Sequence, residues 1–107
     1  MNLEQRTEVA EKLFDDSIST LESKGRAYAT TGDSLANFKE VGKDVGITKY
    51  QAWLVYFLKH VESVKNAIIN TPDYPIDDSE GMYSRLIDIV SYAAILAALM
   101  KEDEKDS

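Results

Sequence analysis

Apolar residues recur along this chain at spacings of three and four in three long stretches, a helical signature with no strand-like alternation anywhere. In the first stretch, about Leu3 to Ser23, the residues Ala10, Leu13, Phe14, Ile18 and Leu21 form one stripe with Glu, Lys and Asp opposite. Lys24-Gly25 reads as its end, a basic last turn followed by a glycine suited to a left-handed cap. The segment Arg26 to Asp33 is small and polar and reads as a loop. Ser34 then caps a short helix to about Val41 that buries Leu35, Phe38 and Val41, with Gly42 and Gly46 bracketing the turn that follows. The next helix has the sharpest start: Thr48-Lys49-Tyr50-Gln51 is a capping box, with Ile47 placed to staple onto Ala52. From there Tyr50, Trp53, Leu54, Phe57, Val61, Val64 and Ile68 make a continuous apolar face. Asn70 to Ser79 holds both prolines and three aspartates and reads as a connector, with Asp77 or Asp78 capping a final helix that runs to about Lys101.

That final helix is the most informative element. It is apolar on almost every side beyond Leu86, with Ile95 and Leu99 opposite a stripe of Leu86, Val90, Ala93 and Ala97, and one carboxylate, Asp88, is set into it. A helix apolar all round must be covered all round, which in so short a chain points to self-association. An unpartnered buried carboxylate costs several kcal/mol, so Asp88 needs an answering group. The expected fold is all-α: a small bundle of three long helices and one short one, a single domain over residues 1–101, completed by oligomerisation, with residues 102–107 as an acidic disordered tail.

Composition narrows the function more by exclusion than by assignment. With 107 residues the chain builds one modest core. There is no cysteine, which excludes disulfides, thiolate metal sites and cysteine nucleophiles, and suits a reducing cytoplasm. The net charge is −7 and no basic stripe appears, so long nucleic acid is not an expected partner. The longest apolar run is interrupted by Asp88 and falls short of the ~20 residues of a membrane span, and no basic segment leads into an apolar run as in a secretory signal. Phosphate-loop and nucleophile-elbow motifs are absent from the sequence.

The candidate chemistry lies on helix faces. Val55, Lys59, Glu62 and Asn66 share the face opposite the apolar stripe of their helix, and Ser84, Asp88, Ser91 and Ile95 share one face of the last. If these faces meet they make either a polar ligand seam or a structural ion pair of Asp88 with Lys59 or Arg85. His60, the only histidine, is either an acid–base group or a core imidazole. Arg26, Tyr28 and Asn37 can present a guanidinium and donors to a phosphate, or simply satisfy the loop. Tyr56 sits off-centre and can stack on a base, whereas Trp53 reads as core. Asp73, Asp77, Asp78 and Glu80 crowd one loop in a spacing explained by capping and solvation.

Arg26 and Tyr28 followed by Gly32-Asp33, then Asn37-Phe38, a long helix with Lys59, and an Asp-x-x-x-Tyr helix at Asp88 and Tyr92 come in the order of a phage-type helical family. Over roughly Lys24 to Leu99 the chain resembles phage and prophage proteins distantly similar to MazG-like all-α nucleoside triphosphate pyrophosphatases and to nucleotide-modification-associated domains. The resemblance implies a MazG-like bundle, a dimeric or tetrameric assembly and a nucleotide-related role in the cytoplasm of a bacterial host. MazG-like enzymes hold magnesium with paired glutamates on one helix and a Glu-x-x-Asp on the next. Here Arg85 stands three before Asp88, Ser84 stands where relatives often carry an acid, and the preceding helix offers only Glu62. Glu62 and Asp88 remain as two carboxylates able to hold a magnesium ion weakly.

The leading expectation is therefore a viral protein that binds a nucleotide or cyclic nucleotide-like molecule without catalysis, sequestering an immune signal. Its ligand contacts would be Arg26, Tyr28, Asn37, Tyr56, Lys59, His60, Asp88 and Tyr92. A magnesium-dependent pyrophosphatase using Glu62 and Asp88 is the alternative, and a non-catalytic interaction protein the third.

Overall fold

The computed structural model describes residues 1–28 and 32–104, the side chains of residues 27 and 28 excepted, and they form four helices. These are α1 (Leu3–Tyr28), α2 (Ala36–Val45), α3 (Lys49–Asn70) and α4 (Met82–Asp103). The expected all-α bundle of three long helices and one short one is the observed architecture. The middle element is α4, with α1 against one flank and α3 against the other, and α2 lies on α3.

Local sequence explains most boundaries. Thr48 accepts from the Gln51 N–H at 3.0 Å while the Gln51 side chain accepts from the Thr48 N–H at 2.8 Å, closing the capping box that starts α3. Gly46, in the left-handed region at φ 76°, ends α2 at Val45, four residues beyond the expected Val41, and Gly42 lies within the helix rather than in the turn. Gly42 is buried inside α2, where an added Cβ would sit 2.8 Å from the Ile47 carbonyl oxygen, so its missing side chain lets the α2–α3 turn close.

Other boundaries differ from the expected ones. Gly25 does not end α1, which continues to Tyr28. A glycine inside a helix costs only about 1 kcal/mol, and Lys24, Arg26 and Ala27 around it favour helix. The α2 N-terminus is organised by Asp33 rather than Ser34: its carboxylate accepts from the Leu35 N–H at 2.9 Å and pairs with Lys39 at 2.7 Å. Neither Asp77 nor Asp78 caps α4, whose N-cap is Gly81 at φ 88°. Asp77 instead accepts from Ser79 and from Arg85 Nε at 2.6 Å, pinning the connector to α4. The Ser79 hydroxyl and the Arg85 guanidinium hold the Asp77 carboxyl well below the usual carboxylate range. Glu102 and Asp103, expected in an acidic tail, lie in the last turn of α4, where Glu102 pairs with Lys39 and Asp103 with Lys49, each at 2.6 Å; residues 105–107 lie outside the described residues.

The core is small. Phe38, Trp53 and Leu99 are its buried centre, with Leu35, Tyr50, Tyr56, Phe57, Tyr92, Ile95 and Leu96 packed round them. Trp53 stacks on Phe57 at 4.7 Å and donates its indole N–H to the Tyr92 carbonyl at 2.8 Å, locking α3 to α4. On the other flank Ser17 donates toward the Ile87 carbonyl and Ser91 toward the Ser17 carbonyl, each at 3.5 Å, so α1 and α4 approach through small side chains. Several residues of the expected apolar stripes stay outside this core: Phe14, Ile18, Leu54 and Ile68 are about half exposed or more. The radius of gyration is 15.9 Å, against about 13 Å for a compact domain of this length.

Candidate functional site

The answering groups for Asp88 come from both flanks of α4. Asp88 is 8% exposed. Its Oδ1 lies 3.4 Å from Lys24 Nζ on α1, and its Oδ2 lies 3.6 Å from His60 Nδ1 on α3. The expected partners, Lys59 and Arg85, are elsewhere. Lys59 is one residue, about 100° of helix, away from His60 and lines an exposed groove with Glu62, Asn66 and Arg85. The Arg85 guanidinium is held by Asp77 at 2.6 Å and Glu80 at 3.4 Å. The seam expected between the Lys59 and Asp88 faces does not form, and the α3 residue that meets Asp88 is His60.

Asp88 stands in the wall of a cavity of about 420 Å³ between α1, α2 and α4. Leu21, Phe38, Tyr92 and Ile95 supply apolar and aromatic surface, while Lys24, Asn37, His60 and Ser91 supply polar groups. Its size and lining are those of a small-molecule pocket, apolar with a few placed polar groups. The rings are arranged in a chain: Phe38 meets Tyr92 edge-on at 6.1 Å, and Tyr92 leans on His60 at 4.9 Å. Tyr56 meets Phe38 edge-on at 5.9 Å from the far side, within the core that supports the cavity.

His60 is the electrostatic hinge of this wall. Burial pushes its imidazole below the usual histidine range, and the neighbouring Asp88 carboxylate only partly opposes that. The ring is therefore neutral at pH 7. Its Nδ1 is fully buried and has no hydrogen-bond partner among the described residues, the Asp88 oxygen being beyond reach. Buried polar atoms are almost always satisfied, so a buried ring nitrogen left 3.6 Å from its nearest carboxylate oxygen is a rare arrangement.

Of the expected contacts, the fold thus gathers Asn37, His60, Asp88 and Tyr92 round one cavity. Lys59 and Glu62 line a second groove that adjoins the cavity at His60, and Glu62 approaches Lys65 at 4.0 Å. Arg26 is exposed in the last turn of α1, 3.5 Å from Glu22 and two residues beyond Lys24. The side chain of Tyr28 lies outside the described residues. Glu62 on α3 and Asp88 on α4 line different pockets, and no group of three or more His, Asp or Glu able to hold a metal ion is gathered among the described residues. Lys24 and Ser91 complete the polar lining, and Lys24 was not singled out from sequence. The available signal was Ser17, Leu21 and Lys24, which share a face once the helix is carried through Gly25.

In comparisons with known proteins, no family model, no curated protein and no solved structure matches this chain.

Proposed function

We propose that this chain binds a nucleotide-derived small molecule in the cavity between α1, α2 and α4. The observation that carries the reading is the buried Asp88–His60 pair, with His60 Nδ1 unsatisfied, in the wall of an aromatic-lined cavity. A carboxylate inside an apolar cavity suits a planar group with N–H donors, as on the hydrogen-bonding edge of a nucleobase. Phe38 and Tyr92 offer ring surface for such a group. Phosphates would lie outward, where Lys24 at the mouth and Arg26 two residues on supply positive charge. A phosphate in the interior would instead meet the Asp88 carboxylate. The site is built to hold its ligand, and the reading assigns it no cleavage.

Titration calorimetry against mononucleotides and cyclic dinucleotides tests this. At least one nucleotide should bind, and Asp88→Asn and His60→Phe should each weaken it about 10- to 100-fold. Lys59→Ala, in the other groove, should leave affinity unchanged. No heat from any nucleotide, or equal binding by the Asp88→Asn protein, would refute the proposal.

A further inference from the structure

The side of α4 that faces away from the cavity is also unfinished. Leu86, Val90, Ala93, Ala97 and Met100 are spaced four, three, four and three residues apart, the seam of a helix that packs against another. Yet Leu86, Ala93, Ala97 and Met100 are exposed. Beside them on α3, Leu54 and Leu58 are about half exposed, with Val61 next along the same seam. Together the two helices present an apolar face on which the α4 row carries no charge at all. We infer that this α3–α4 face is the interface with a second copy of this chain.

The area supports that occupant. A folded monomer of 12.0 kDa exposes about 6,000 Å², whereas this protomer exposes 7760 Å². The excess, about 1,800 Å², is surface a compact chain of this mass would cover, and it leaves room for the ~800 Å² per partner of a standard interface. Part of it comes from α1, whose residues before Ala10 are all exposed, and part from this face. The row is also suited to pairing with itself. Its larger side chains stand at the ends and Ala93 and Ala97 toward the middle, so two antiparallel copies can approach closely where the alanines meet. A lipid surface is the poorer fit, although α4 is by length and composition apolar enough to cross a membrane. The chain's net charge of −7 opposes anionic headgroups, and Asp88 and Arg85 stand on the same helix.

This inference is independent of the ligand reading, because its readouts need no ligand. Sedimentation velocity of the full chain should show a dimer or a larger even-numbered assembly. Ala93→Glu/Ala97→Glu should keep the helical circular dichroism and weaken this contact at least ~100-fold. Because the chain has no cysteine, Ala93→Cys with a short bis-maleimide should give a covalent dimer, whereas Ser19→Cys, exposed on α1, should not. A monomer at the highest soluble concentration overturns the inference. So does a helical double-Glu variant that assembles as well as the wild type, or a monomer that floats with zwitterionic phospholipid vesicles.

Discussion

The two sides of α4 differ in how the chain treats them. On one side Asp88, Ser91 and Ile95 face a cavity roofed by α2 and walled by α1, with Lys24 and His60 placed on either side of Asp88. On the other, Leu86, Ala93, Ala97 and Met100 are exposed, Met100 to about half. Burying the second side would be the easier task by hydrophobic area alone. The short helix α2 nevertheless covers the first. A side that carries a charge needs specific partners built around it, whereas an uncharged side can be closed by any complementary apolar surface. The contrast separates the side suited to a small ligand from the side suited to another protein surface.

Adjacent residues give the largest test of that contrast. Leu99 is 0% exposed and lies in the core with Phe38 and Trp53, whereas Met100, about 100° further round the helix, is 51% exposed on the outer row. Leu99→Ala should lose about 3–5 kcal/mol in urea denaturation of dilute protein. Met100→Ala should lose about 1 kcal/mol or less under the same conditions. Equal losses from the two would mean that the outer side is covered within one protomer, and the contrast would collapse.

A smaller effect of opposite sign is expected at Asp88. Removing one partner of a buried ion pair is costly where the other charge stays buried, but Lys24, the cation beside Asp88, is 60% exposed and stays solvated without it. Asp88→Leu should therefore raise unfolding stability by about 1 kcal/mol while removing the acceptor on which nucleotide binding depends. A large destabilisation would make Asp88 a structural ion pair holding α1 and α3 in register, with no ligand role needed.

The helices and the centre of the core were legible where they rest on local chemistry: the Thr48–Gln51 box and the spacing of Phe38, Trp53 and Phe57. The partner of Asp88 was not. Choosing between Lys59 and His60 turns on about 100° of helix rotation, which depends on how α3 rolls against α4. Trp53 sets that roll by bonding to the Tyr92 carbonyl, a contact no periodicity encodes. Lys24 was hidden for a different reason. Reading Gly25 as a terminator makes Lys24 a basic last turn that serves its own helix end, whereas α1 runs on to Tyr28 and Lys24 reaches Asp88. Tail positions Glu102 and Asp103 looked solvated because their partners, Lys39 and Lys49, lie more than fifty residues away in the chain.

The smallest expected effect separates the two sides by pH. Burial holds the His60 imidazole below its ordinary value of 6.5. Below that pH the unfolded chain takes up a proton that the folded chain excludes, so folding releases it and stability falls as pH drops through 6.5. The loss levels off once pH is below the folded value as well. His60 is the only histidine, and the carboxylates of the unfolded chain stay ionised between pH 7.5 and 5.5. Chemical denaturation at these two pH values should thus show a loss in the wild type that His60→Phe removes and Ala93→Glu/Ala97→Glu retains. The charges around the ring are Asp88, Arg85, Lys24 and Glu80. If stability instead rises on acidification, the attraction of Asp88 for an imidazolium outweighs burial, and the cavity wall carries a charged pair rather than a neutral ring waiting for a hydrogen bond.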